Sequence, residues 1–112
     1  MSPIPQSYVV QATLLSEAEI ASHFQELHPD WVVAGQASIS RPFELPDFKA
    51  ALALVNAIGE VAEAENHHPE LLMKGDRFVT ITFTTHDAGG ITINDLMMAQ
   101  RTDQQAKRIP GT

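Results

Sequence analysis

The chain has 112 residues, of which 7 are basic and 14 acidic, for a formal net charge of −7. At 44% hydrophobic and 19% charged it has the composition of one globular domain, which excludes a disordered tail or a collagen-like repeat. The absence of cysteine excludes disulfides, thiolate zinc centres and cysteine nucleophiles, and an acidic chain with no basic run is poorly suited to nucleic acid.

No apolar stretch approaches the roughly 18 residues of a membrane span, and the start lacks the charged and apolar run of a signal peptide. These features imply a cytoplasmic protein with no membrane partner. Residues 1–13, with two prolines and no helical period, read as an arm or an edge strand. Ser16 and Glu19 form a capping box, and Leu15 and Ile20 a hydrophobic staple. Ile20, Phe24 and Leu27 continue one apolar stripe until His28-Pro29-Asp30, where proline ends the helix. His23 and His28 then read as solvated surface residues.

Trp31–Val33 and Ser38–Glu44, flanking Ala34-Gly35, predict a hairpin, with Pro42 at an edge or bulge. A long helix follows from about Pro46 to Asn66, with the proline suiting its first turn. Its apolar residues Phe48, Ala51, Leu52, Leu54, Val55, Ile58, Val61 and Ala62 cover about half the circumference, wider than one surface stripe, so burial on more than one side is expected. Residues 71–74 and 77–85 predict a second hairpin around Gly75-Asp76. Val79, Ile81 and Phe83 alternate there with Thr80, Thr82 and Thr84. Thr92 and Asp95 start a last helix with a second capping box, stapled by Ile91 and Leu96. Residues 109–112, with a Pro-Gly pair, read as a frayed tail. The order predicts a single domain over 1–112 of the α+β class: a four-stranded antiparallel sheet with three helices packed on one face.

Three clusters can carry chemistry: Glu63-Ala-Glu65-Asn66-His67-His68-Pro69 at the end of the long helix, Thr85-His86-Asp87-Ala88-Gly89-Gly90 after the last strand, and the Thr92/Asp95 helix start. Hairpin pairing of the last two strands is expected to bring His67 and His68 near His86. Histidine titrates near neutrality, so the three rings offer a proton donor and acceptor at pH 7. The glycines allow a close backbone approach to a flat ligand or a sharp turn. The structural alternatives are a helix C-terminal cap for His-His-Pro and a plain helix cap for Thr92/Asp95. A metal site is disfavoured, because adjacent histidines lack the i, i+4 spacing that aims two rings at one ion.

Taken together, Glu63-x-x-x-His67-His68-Pro69 and Thr85-His86-Asp87-x-Gly89-Gly90-Ile91-Thr92-x-x-Asp95 resemble the pterin-4a-carbinolamine dehydratase family. So do Trp31 and Ile39-x-Arg41-x-Phe43-x-Leu45-x-Asp47-Phe48 upstream. The resemblance implies dehydration of 4a-hydroxytetrahydropterin to quinonoid dihydropterin, which recycles the pterin cofactor of aromatic amino acid hydroxylases. It implies no cofactor and no metal, a small-molecule pterin partner, and a homodimer or homotetramer with sheets joined across subunits. His67, His68 and His86 become the catalytic residues, and Glu63, Asp87 and Asp95 the substrate-binding ones. Other readings are a non-catalytic dimerisation or coactivator-type module, and a dehydratase for another pterin such as a molybdopterin precursor. The family pattern has aromatics where Leu71 and Gly75-Asp76 stand here. Either part of a stacking contact on the pterin is given up, or Gly75-Asp76 is simply a hairpin turn.

Overall fold

A computed structural model describes residues 2–112. Helix α1 spans Glu17–Ser22 and is followed by a 3₁₀ turn at Phe24–Glu26. Strands β1 (Val32–Ala34) and β2 (Ser38–Glu44) form the first hairpin. Helix α2 is Phe48–Glu65, strands β3 (Glu70–Lys74) and β4 (Phe78–Phe83) form the second hairpin, and helix α3 is Ile93–Ala106. The strands make one antiparallel sheet in the order β1-β2-β4-β3. This is the α+β architecture expected from the residues.

One face of the sheet holds the core. Ile39 and Phe43 of β2 and Val79, Ile81 and Phe83 of β4 are buried under Leu54 and Ile58 of α2 and Leu96, Met97 and Ala99 of α3. The threonines of β4 fall on the open face, where Thr82 Oγ1 lies 2.7 Å from Ser40 Oγ. Pro42 pairs with Thr80 in β4, but the β1 ladder stops at Ser40, so this proline stands on a stretch of β2 with no strand on its outer side. Among the described residues no helix is long and apolar enough to cross a membrane.

Several boundaries differ from the sequence reading. Both capping boxes form, but α1 stops at Ser22, whose hydroxyl donates to Glu19 O at 2.5 Å and competes with the helical ladder. Asp47 caps α2 by accepting from Ala50 N, which leaves Pro46 just outside the helix instead of in its first turn. His23 is not solvated: it is 7% exposed, and its Nδ1 lies 2.7 Å from Glu26 Oε2. The staple stripe turns that ring inward with Ile20.

Arg41 lies on the helix-facing side of β2, and Asp103 of α3 is its counter-ion at 2.6 Å. Trp31 Nε1 donates to the same carboxylate oxygen and His28 N to the other. The guanidinium sits 4.2 Å above the Phe43 ring. Asp103 therefore ties the loop before β1, the sheet and α3 together, and the donors around it offset the cost of burying the charge.

Among the described residues the N-terminal segment forms no strand. Ile4 is buried and donates its N–H to Glu26. Farther along, the segment crosses the ends of α2 and α3. At the other terminus Thr112 Oγ1 donates to the carbonyls of Ala106 and Ile109, tying the last residues back onto α3.

Candidate active site

The site begins where α2 stops. Asn66 takes the left-handed conformation (φ 51°, ψ 43°), and its N–H returns to the carbonyls of Ala62 and Glu63. That reversal separates two adjacent histidines. The His67 side chain is 10% exposed and that of His68 is 55% exposed.

His67 turns into the protein. Its ring lies 6.5 Å from Phe83 in a stacked arrangement and 6.5 Å from Tyr8 in a tilted one, both within aromatic packing range. Its Nε2 is 2.7 Å from Asp95 Oδ1. Asp95 is fully buried in the first turn of α3. Its Oδ2 accepts from Thr85 Oγ1 at 2.7 Å and from Thr92 N at 2.8 Å. With the carboxylate accepting throughout, His67 is held as the Nε2–H tautomer and Nδ1 is free for other chemistry. A buried carboxylate in this position fixes the orientation of the imidazole.

His68 makes a separate, open pair, with Nε2 2.5 Å from Glu63 Oε1 on the exposed last turn of α2. This pair can exchange protons with water. His86 and Asp87 lie in the exposed 3₁₀ turn His86–Ala88, directly after Thr85. Among the described residues their side chains hydrogen-bond to none of the other predicted site residues. The structure thus joins His67 to Asp95 and His68 to Glu63, and sets His86 one residue from Asp95's partner Thr85.

Gly89 and Gly90 serve the backbone. Gly89 (φ 84°) ends the 3₁₀ turn. A Cβ on Gly90 would lie 2.2 Å from Gln36 O, so glycine is required there for the β1–β2 turn to pass. Gly75-Asp76 lies at the far end of the β3–β4 hairpin from His68, about 17 Å along a five-residue strand. Asp76 is paired there with Arg77, which holds its carboxyl below the usual carboxylate range. Within this chain that dipeptide is a turn outside the site.

A cleft of about 430 Å³ reaches Asp95's partner Thr85 and is lined by Tyr8, Thr13, Leu14, Asp87 and Asn94 among others; Asp87 is the one predicted site residue in its lining, and His67, His68 and His86 are not part of it. A second cleft of about 390 Å³, lined by His28, Arg41, Asp103 and Lys107, contains none of the predicted site residues. The sequence reading gave Tyr8 no role and Thr85 only a place in the Thr85-His86-Asp87 cluster. A hydroxyl at a strand end carries no periodic signal, and Tyr8 lies in a segment with no pattern. Among the described residues no three His, Cys, Asp or Glu side chains are grouped to hold a metal ion.

Residues 13–105 match the family described as pterin 4 alpha carbinolamine dehydratase. A Chlorobium limicola protein provisionally named pterin-4-alpha-carbinolamine dehydratase is 48% identical over 91 residues, covering 79% of either chain. A Cyanothece relative with the same provisional name is 46% identical over 96 residues, covering 86% of this chain and 96% of its own. The crystal structure of a "transcriptional coactivator/pterin dehydratase" from Brucella melitensis superposes with a TM-score of 0.75 at 31% identity, covering 82% of this chain and 97% of that one. The fold agrees with sequence similarity over most of the chain, which belongs to the pterin 4 alpha carbinolamine dehydratase family.

Proposed function

We propose that this protein is a hydro-lyase that converts 4a-hydroxytetrahydropterin to quinonoid dihydropterin and water, recycling the pterin cofactor of aromatic amino acid hydroxylases in the cytoplasm. The observation that carries the reading is the contact of His67 Nε2 with the buried Asp95 carboxylate, beside an open His68–Glu63 pair.

The reaction breaks the C4a–O bond. A proton must reach the departing hydroxyl so that it leaves as water, and a neighbouring ring N–H must lose a proton as the quinonoid double bond forms. His67 suits the first task, because Asp95 holds the ring in place through Nε2 and leaves Nδ1 for the substrate. His68, exposed and paired with Glu63, suits the second, because the proton it takes passes to solvent. His86 and Asp87, on the exposed turn next to Thr85, then orient the pterin. Each general acid or base contributes about 10²–10⁴-fold.

Turnover of 4a-hydroxytetrahydropterin tests this. His67→Ala and His68→Ala are each expected to lower kcat by about 10²-fold or more with the fold intact by circular dichroism, and chelators are expected to have no effect. A wild-type protein without turnover, or both variants at wild-type rate, overturns the reading in favour of a binding module, in which the histidines do no chemistry.

A further inference from the structure

Tyr8 lies outside residues 13–105, the part of the chain that matches the family. It is also the chain's one tyrosine. We propose that Tyr8 contacts the substrate: its ring packs beside His67 and is the aromatic wall of the adjoining cleft, whose lining includes Thr85 and Asp87 but none of the three histidines, and the N-terminal segment is the element that delivers it. The proposal rests on the dehydratase reading of the site around His67 and Asp95.

The first support is that the segment around Tyr8 is docked. Gln6 O accepts from Arg101 Nη1, which is itself paired with Glu65. Tyr8 N donates to Glu65 Oε1 at 2.9 Å. Val9 is clasped on both sides by one amide: its N–H donates to Asn94 Oδ1 at 2.7 Å, and its carbonyl accepts from Asn94 Nδ2 at 2.9 Å. Asn94 is 2% exposed and sits next to Asp95 in the first turn of α3. The residue that positions Tyr8 is thus adjacent in sequence to the residue that positions His67. Gln11 then takes a left-handed conformation (φ 57°) and turns the chain back along the cleft.

The second support is what the ring does. It lies 6.5 Å from the His67 ring, whose other aromatic neighbour is Phe83, and stays 46% exposed. Phe83 is fully buried, so Tyr8 is the aromatic that lines the 430 Å³ cleft. That volume lies in the range of small-molecule sites, which pair an apolar wall with a few polar groups. Here the polar groups are Thr85, Asp87 and Asn94. An exposed flat ring beside the imidazole assigned to proton transfer is suited to packing against a flat heterocycle.

The test is titration with a non-reacting dihydropterin, with turnover measured in parallel. Tyr8→Ala is expected to raise Kd about three- to tenfold and Tyr8→Phe to leave it near wild type, with thermal unfolding unchanged in both. Because the tyrosine is unique, its ring signals are unambiguous in NMR, and cross-relaxation between them and the bound pterin is expected. Unchanged Kd in Tyr8→Ala with no such cross-relaxation, in a protein that still binds and turns over pterin, overturns the Tyr8 proposal alone. Wild-type protein that binds no dihydropterin overturns it together with the dehydratase reading.

Discussion

Asp95 serves two structures with one carboxylate. Oδ2 completes the cap of α3 by accepting from Thr92 N, while Oδ1 holds His67. An amide at this position keeps one acceptor and gains donors, so it cannot satisfy both roles. Asp95→Asn is therefore expected to cost about 1–3 kcal/mol of stability, as a buried group is left unmatched. On the proposed mechanism it also lowers kcat by about 10²–10⁴-fold by releasing the His67 tautomer. Turnover and denaturant unfolding on one preparation separate the effects. Lost stability with unchanged kcat would make Asp95 a helix cap and nothing more.

The first helix and its 3₁₀ extension show how a charged element end holds a terminus. Glu26 accepts from His23 Nδ1 at 2.7 Å and from Ile4 N at 2.8 Å. The His23 bond is the main cause that holds its carboxyl below the usual carboxylate range. A folded-state value below the unfolded one means that the contribution is complete above the unfolded value, about 4.3, and is lost as pH falls through the lower folded one. Glu26→Gln is expected to destabilise by about 1–2 kcal/mol at pH 7, toward the lower end for a hydrogen bond to a charged group because the carboxyl is 27% exposed. The gap from wild type narrows on acidification below about pH 4. Urea unfolding of both proteins at several pH values checks this, and a gap that stays constant to pH 3 contradicts it.

At the scale of the whole molecule, one chain leaves apolar surface uncovered. α2 buries Ala51, Leu54, Ile58, Val61 and Ala62, yet Phe48 is 51% and Leu52 40% exposed. β3 is an outer strand of the sheet, and its Leu71 and Leu72 are exposed, as is Phe78 at the start of β4. An outer strand with apolar side chains is a template for pairing. A second copy meets both needs, joining sheets at β3 and covering the outer side of α2, so the proposed assembly is a homodimer or homotetramer. Sedimentation at micromolar concentration is expected to give a whole multiple of 12.3 kDa. A monomer mass contradicts it. Leu72→Lys, on the open edge, is expected to shift the mass toward one chain without unfolding it.

The sequence by itself determined the elements and their class, because those signals are local. Val79, Ile81 and Phe83 alternate with threonines at the period of a strand, and Ser16/Glu19 and Thr92/Asp95 mark helix starts within four residues. The His67–Asp95 pair spans 28 residues and was legible only as two clusters, since spacing along a chain carries no distance between elements. Tertiary structure alone decided that His67 turns inward while His68 faces water, that His23 is buried, that Gly90 is needed for Gln36 to pass, and that Tyr8 reaches His67. Each depends on which backbone lies opposite, set by the sheet register and by α3 crossing it, and no periodicity within a single segment encodes that placement.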